Sequence, residues 1–195
     1  MQPSGRVEWR DFRVVVAHPY DQSGSALLRF LRRLDCRITH AWPAPERLGE
    51  PADLLFCALD RQVLPLASSL LGEPRPAIVA VLADDTGDLA KLISSIGPHA
   101  ILAKPFEDGA VLASMVLARA NSGYQQRLLA RIAKLEETLR SMRKVERAKA
   151  ILMEKRQLDE SEAYELLRKQ AMNKRMSIGL VASAIIDANE VLQND

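Results

Sequence analysis

The segment KAILMEKRQLDESEAYELLRKQAM, residues 149–172, contains two stretches of helical periodicity separated by a short polar break. The first helix is predicted to end near Gln157. Asp159 and Glu162 then have the spacing of a capping box, in which each side chain accepts a hydrogen bond from the other residue's backbone amide. A second helix is therefore predicted over residues 160–174. Its apolar face consists of Ala163, Leu167 and Ala171, with Leu166 beside them.

Downstream of this pair, a third helix is predicted to begin at Ser177, because serine is a favoured residue at helix N-termini. Apolar residues recur at helical spacing through the rest of the chain, as expected for a helix with one buried stripe. The residues of that stripe are Ile178, Val181, Ala182, Ile185 and Leu192. Three helices with one apolar face each predict an all-α three-helix bundle over residues 148–195.

Upstream, the first helix is predicted to extend back through a linker, residues 121–147. Apolar residues in this linker alternate in steps of four and three, which is the spacing of the a and d positions of a coiled coil. They are Leu128, Ile132, Leu135, Leu139 and Met142. A helix with such a stripe needs a partner surface, and a second copy of the chain is the simplest one. A homodimer formed through this coiled coil is therefore predicted.

Residues 1–120 alternate between strand-like and helix-like segments. The strand-like segments are residues 12–18, 36–42, 52–59, 77–83 and 100–106, and the helix-like segments are residues 25–34 and 108–120. ADLLFCAL, residues 52–59, is continuously apolar, which is typical of a strand buried on both faces. The alternation predicts a parallel sheet with right-handed crossovers, an α/β doubly wound domain.

Composition and charge restrict the class of protein. Hydrophobic residues make up 48% of the chain and charged residues 27%, and no apolar run approaches the roughly 18 residues of a membrane span. The polar N-terminus has no secretory signal, so a cytoplasmic protein without membrane contact is predicted. Residues 1–123 carry 13 Lys/Arg against 14 Asp/Glu, whereas residues 124–176 carry 14 against 8. The back of the chain is thus basic, which suits an acidic partner or a solvated helix face.

No enzymatic motif is present. The patterns G-x-x-x-x-G-K-[ST], G-x-G-x-x-G, G-x-S-x-G and H-E-x-x-H are all absent. The histidines, His18, His40 and His99, are scattered and do not have the spacing of metal ligands. The chain is therefore predicted to be a non-enzyme that uses no cofactor and no metal.

The front half resembles the receiver domain of response regulators, whose fifth strand ends in Lys-Pro as AKPF does here at residues 103–106. The resemblance places Lys104 at the phosphoryl-contacting lysine, but a solvent-facing turn residue is the interpretation favoured for it. The phosphoacceptor position corresponds to Ala58, with Asp60 as a displaced candidate. Because a phosphoacceptor also needs carboxylates that hold Mg²⁺, and none are clustered, this domain is predicted to be a pseudo-receiver that is not phosphorylated.

The back half resembles the ANTAR family of RNA-binding antiterminators, and the order of the three segments resembles the branch that regulates amidase operons. The residues that match the family pattern are Ala148, Lys149, Ile151, Leu152, Met153, Glu160, Ala163, Tyr164, Leu167, Arg168, Ala171, Met172, Val181 and Ala182. Gln157 stands where the family usually has a glycine. The resemblance implies binding to paired hairpins in nascent leader mRNA, which prevents a terminator from forming. It also implies a controlling partner, a small-ligand sensor of periplasmic-binding-protein fold.

Basic and apolar residues around the predicted bundle are candidates for the RNA contact, since RNA loops are bound through phosphates and splayed bases. They are Lys149, Met153, Lys155, Arg156, Arg168, Lys169, Ala171, Met172, Lys174 and Arg175. Structural interpretations remain open for several of these residues. Met153 suits a core position, Arg168 suits an ion pair with a helical glutamate, and Lys174 and Arg175 suit a helix C-terminus. Tyr164 is predicted to be packed rather than stacked on a base.

Two other functions compete with RNA binding. A DNA-binding response regulator would need a recognition helix with polar base-reading side chains, and SIGLVASAIIDANEVL, residues 177–192, has few. A coiled-coil interaction protein without nucleic acid would not need the basic excess of residues 124–176. RNA binding therefore remains the leading hypothesis.

Overall fold

The computed structural model describes residues 9–43, 48–59, 75–82, 93–94 and 97–193, with side chains described to residue 191. The strands are β1 (Arg13–Ala17), β2 (Arg37–His40), β3 (Leu54–Leu59), β4 (Ala77–Leu82) and β5 (Ala100–Ala103). The helices are α1 (Gln22–Arg33), α2 (Asp108–Arg156), α3 (Glu160–Lys174) and α4 (Ile178–Gln193). The described residues form two compact units, residues 1–126 and 127–195, each of which is treated by itself below.

The first unit is built on a five-stranded sheet with the order β2-β1-β3-β4-β5. Every neighbouring pair is parallel, with β1 lying between β2 and β3. This order is that of flavodoxin-like doubly wound domains, which include receivers. The predicted fold class is confirmed, and each predicted strand is present, although each is shorter than the apolar segment that predicted it.

One face of this sheet packs against α1 and the first turns of α2. The hydrophobic core of this unit includes Val16 and Phe56 from the sheet. It also includes Leu27 and Leu31 of α1 and Met115 of α2, which are fully buried. All six residues of β3 are buried, as its continuous apolar sequence predicts for a central strand. Asp21 begins α1, because its Oδ1 accepts a hydrogen bond from Gly24 N at 2.7 Å.

The second unit contains the three-helix arrangement predicted for the end of the chain. α2 is continuous from Asp108 to Arg156, so the predicted helix 108–120, the predicted linker and the first helix of the predicted bundle form one helix of 49 residues. The bundle core joins all three helices, with Ala148 and Leu152 from α2, Leu167 from α3, and Ala182 and Ile186 from α4. Leu192, predicted in the buried stripe, lies outside the described side chains.

The turns of this unit follow the local signals. α2 ends before Gln157, which has a φ of +55°. Glycine adopts this left-handed conformation without strain, which explains why the family usually has a glycine at this position. Asp159 and Glu162 form the predicted capping box, with hydrogen bonds of 2.8 and 3.0 Å. Arg175 ends α3 in the left-handed conformation, and Ser177 Oγ accepts from Leu180 N at 3.3 Å.

Gly179 allows α4 to approach α2 closely. A Cβ built on Gly179 would overlap Ser141 Oγ and lie 3.2 Å from Ser141 Cβ. This distance is shorter than ordinary van der Waals contact, so a side chain at residue 179 would require the Ser141 hydroxyl to rotate and the Ser141 Cβ to shift by a few tenths of an ångström.

Candidate nucleic-acid interface

Most of the residues predicted to contact RNA lie on the surface of the second unit. The exposed ones are Met153, Lys155, Arg156, Arg168, Lys169, Met172, Lys174 and Arg175. They come from the last turns of α2, from α3 and from its C-cap. The two that are not exposed are Lys149 and Ala171.

Lys149 is held inside the bundle by two carboxylates. Its Nζ lies 2.7 Å from Glu160 Oε1 and 2.9 Å from Glu146 Oε2, and its side chain is only 9% exposed. The hydrogen bonds to Glu160 and Glu146 raise the pKa of the lysine, and the same contact lowers the pKa of Glu160. These contacts tie α2 to the start of α3. The RNA contact of Lys149 stays a prediction, and an RNA phosphate would have to compete with both glutamates.

Ala171 belongs to the buried stripe of α3. It packs with Ala163 and Leu167 in the bundle core, as its place in the helical period predicts. Its contact with RNA also stays a prediction, and burial does not favour it. Met172, the next residue, is 70% exposed.

Tyr164 differs from its predicted packed position. Its side chain is exposed, with 44% of its surface accessible. The helical period contained this signal, because Tyr164 lies outside the stripe of Ala163, Leu167 and Ala171. The prediction that Tyr164 is packed is therefore wrong.

A cavity of about 700 Å³ lies on the outer side of α3; we call it the α3 cavity. Among the residues that line it are four predicted RNA contacts, Arg156, Arg168, Lys169 and Met172. Acidic residues also line it, and one of them, Glu165, lies 3.4 Å from Arg168 Nη1. An exposed pair of this kind contributes only a few tenths of a kcal/mol, so it leaves Arg168 free to exchange partners.

A second, smaller cavity of about 340 Å³ lies between α2, α3 and α4; we call it the interhelix cleft. Leu152, Val181 and Ile185 form apolar parts of its lining. Arg156 and Lys174 line it as well, so the predicted basic residues are divided between two cavities.

The residues of the predicted coiled-coil seam are exposed in the single chain. Leu128, Ile132, Leu135, Leu139 and Met142 have between 42% and 59% of their surface accessible. Arg140 lies beside them and pairs with Glu136 and Glu137 at 3.6 and 3.7 Å. Their role in dimerisation stays a prediction.

The predicted degenerate phosphorylation site is only partly described. Ala58 is buried near the end of β3, and Asp60 lies outside the described residues. Lys104 does not face solvent, because its side chain is 15% exposed and its Nζ lies 3.4 Å from Asp21 Oδ2. Asp21 therefore uses one oxygen to cap α1 and the other to pair with Lys104. The favoured interpretation of Lys104 as a solvent-facing turn residue is therefore wrong.

His18 lies beside this ion pair and is fully buried. Its Nδ1 is 2.8 Å from Pro19 O, which requires a proton on Nδ1, and its Nε2 has no hydrogen-bond partner in the described part of the chain. Burial lowers the pKa of His18 from the ordinary value of 6.5; the hydrogen bond to Pro19 O opposes this, and the Lys104 cation adds to it. The folded protein therefore favours the neutral ring.

This shift predicts that acid destabilises the front domain through His18. Because the folded pKa is below the unfolded pKa, the unfolded chain binds the proton first, and stability is lost as the pH falls through about 6.5. The loss is at most about 1.4 kcal/mol per pH unit for one histidine. Urea unfolding followed by the fluorescence of Trp9 and Trp42, both in the first unit, measures it.

The His18→Asn variant is the matched control, since an asparagine amide replaces the Nδ1 donor but does not titrate. We expect its free energy of unfolding to change less between about pH 8 and pH 5 than that of the wild type. Burial also lowers the pKa of His99. Because both proteins contain His99, the free energy of unfolding of each still depends on pH through that residue. Identical slopes would contradict the assignment to His18.

Within the described residues, no helix is long and apolar enough to cross a membrane. In the same parts of the chain, no three His, Cys, Asp or Glu side chains cluster as metal ligands would.

Two family models match the chain. The model described as "AmiR, N-terminal" matches residues 12–119, which is more than half of the chain, and the model described as "ANTAR domain" matches residues 133–186. The first therefore covers the described sheet, and the second covers the end of α2, α3 and most of α4.

Curated relatives are named as regulators. The chain is 28% identical over 180 residues to the aliphatic amidase regulator of Pseudomonas aeruginosa, covering 91% of this chain and 92% of the relative. It is 28% identical over 127 residues to the transcriptional regulatory protein PdtaR of Mycobacterium tuberculosis, covering 65% of this chain and 62% of the relative. These relatives are consistent with the prediction of a non-enzyme.

Solved structures similar to this chain include two response regulators. A receiver protein from Burkholderia phymatum has a TM-score of 0.45 and 17% identity over 55% of this chain and 94% of that chain. A response regulator from Burkholderia pseudomallei, solved with a phosphorylated aspartic acid, has a TM-score of 0.43 and 16% identity over 87% of this chain and 95% of that chain.

Proposed function

We propose a mechanism from the premise that this chain belongs to the AmiR N-terminal family and carries an ANTAR domain, which makes it a regulator of transcription antitermination. In the mechanism, the three-helix bundle binds hairpins in a nascent leader mRNA, and the bound RNA cannot form the downstream terminator. Because the target is a nascent transcript, the protein acts in the cytoplasm.

One observation supports RNA binding most directly, namely the set of cations on the bundle surface that no carboxylate neutralises. Each is exposed and has no carboxylate oxygen within 4 Å in the described part of the chain. They are Lys155, Arg156, Lys169, Lys174 and Arg175. Unpaired surface cations at this density produce a positive potential that attracts phosphates. Exposed Tyr164 and Met172 add flat and apolar surfaces for unpaired bases.

RNA binding is tested by titrating the full chain with RNA copied from the leader of its own operon and with duplex DNA of the same sequence. We expect tighter binding to RNA than to DNA. The logarithm of the RNA association constant should fall by about 0.7 for each tenfold rise in salt concentration and each phosphate contact to a single strand. Fluorescence anisotropy at several salt concentrations measures both quantities. Tighter binding to the duplex, or no RNA binding at low salt, would contradict the proposal.

The Arg168→Ala variant sharpens this test, because Arg168 is exposed and held only by a weak pair. We expect a several-fold loss of RNA affinity, roughly 1 kcal/mol, without a change in helicity. Arg131→Ala is the matched control, since Arg131 is exposed on α2 outside the ANTAR bundle core.

A homodimer suits a target with two hairpins. The exposed seam on α2 has a heptad spacing, and a parallel pairing of two such seams would place two bundles in one particle. Two linked sites raise the affinity for a two-hairpin RNA through effective concentration.

Control by a protein partner, rather than by phosphorylation, is the second part of the proposal. It is supported by Ala58 at the counted acceptor position and by Lys104, whose ammonium is already paired with Asp21. The amidase regulator similar to this chain and the ANTAR resemblance favour a ligand sensor of periplasmic-binding-protein fold as this partner.

A further inference from the structure

The interhelix cleft is a cavity with an apolar lining and a polar rim. Leu152, Val181 and Ile185 contribute apolar surface, and Arg156, Gln170 and Lys174 contribute polar groups from α2 and α3. Its volume of about 340 Å³ lies at the lower end of the range for pockets that hold small organic groups, about 300–1,000 Å³. The cleft therefore has room for one flat heterocycle.

The polar groups of the cleft are not used by the protein. Arg156 and Lys174 have no carboxylate within 4 Å, and the half-buried amide of Gln170 has no hydrogen-bond partner in the described part of the chain. Some cations of this unit are paired, such as Arg147 with Glu190 at 2.8 Å. A half-buried amide without a partner retains two donors and one acceptor for a ligand.

The chemistry of the cleft distinguishes it from the α3 cavity. The carboxylates of Glu162 and Glu165 line the α3 cavity and repel a phosphate, whereas among the described residues no acidic side chain lines the interhelix cleft. A ligand with an apolar flat face, a hydrogen-bonding edge and flanking negative charges is complementary to the cleft. An unpaired nucleotide in an RNA loop has these three properties.

We propose that the interhelix cleft receives one splayed base of the RNA loop, an inference that rests on the proposed RNA binding. The base lies against the apolar lining, Gln170 bonds to its edge, and Arg156 and Lys174 contact the adjacent phosphates. The amide specifies which base is accepted, because a base with the wrong donor pattern leaves buried groups unpaired.

The test uses a synthetic RNA with two hairpins copied from the leader, and a series of the same RNA with one loop base removed at a time. The Ala184→Leu variant fills the cleft from an exposed position that lines it, and Gln170→Ala removes the amide. Ala150→Leu is the matched control, because Ala150 is exposed and lines neither cavity. Circular dichroism checks that each variant is folded.

We expect the wild type to lose about tenfold or more in affinity when one particular loop base is missing. Ala184→Leu and Gln170→Ala should bind the intact RNA about tenfold more weakly and should no longer respond to that missing base. Ala150→Leu should behave as the wild type. If Ala184→Leu binds RNA as tightly as the wild type, the proposal that the cleft receives a base is overturned and the proposed function remains intact. If the wild type binds no RNA, both are overturned.

Discussion

Replacing Leu135 by aspartate is expected to convert the protein from a dimer into a monomer. Leu135 lies in the middle of the exposed seam of α2, so both copies of a dimer would place a carboxylate in an apolar interface. Burial of an unpaired charge costs several kcal/mol, and we expect the dimer dissociation constant to rise by at least about 100-fold. Sedimentation equilibrium of the full chain measures this change directly.

The Ala130→Asp variant is the control for this prediction. It introduces the same charge into the same part of α2, at an exposed position outside the heptad seam. We expect it to remain dimeric. A wild type that is monomeric at every concentration, or equal dissociation of the two variants, would show that the seam does not join two copies.

The Leu167→Ala substitution is expected to have the largest effect on the ANTAR bundle. Leu167 is fully buried among residues from all three helices, including Leu152 of α2 and Val181 of α4. A buried leucine truncated to alanine loses burial and leaves a cavity, which together cost about 2–5 kcal/mol. In a unit of this size, such a loss lowers the melting temperature by at least about 10 °C.

Circular dichroism at the helical band follows this unfolding, and RNA affinity at a fixed temperature should fall with it. Leu180→Ala is the matched control, because it removes the same side-chain atoms from an exposed position on α4. Tryptophan fluorescence reports the first unit and should melt as in the wild type, since Trp9 and Trp42 are the two tryptophans of the chain. A Leu167→Ala protein as stable as Leu180→Ala would contradict the described core.

Local signals predicted the helices well. The capping box of Asp159 and Glu162 placed the start of α3, and the helical period identified Ala163, Leu167 and Ala171 as its buried face. These predictions depend on neighbouring residues in the sequence, which meet in any helix. The continuity of α2 through residue 120 was less visible, because its two parts have apolar stripes that face different surroundings.

The candidate site was predicted less completely. Surface cations such as Lys169 and Lys174 followed from the basic composition of residues 124–176, and the domain boundaries and RNA contacts stay predictions. Lys149 shows why the pattern was insufficient, since its ammonium meets Glu160, a residue 11 positions away and on another helix. Tyr164 was predicted to be packed and is exposed, and Gln170 was overlooked because neither charge nor apolar spacing singles it out.

By itself, the sequence determined the fold class, the order of the elements and the apolar face of each helix, because periodicity and capping are local properties of the chain. Only the tertiary structure decided which charges are neutralised, as for Lys104 beside Asp21, and which have no carboxylate partner among the described residues, as for Arg156 and Lys174. Such pairings depend on distances between elements that are far apart in the chain. The interhelix cleft is of the same kind, since it exists only where α2, α3 and α4 pack together.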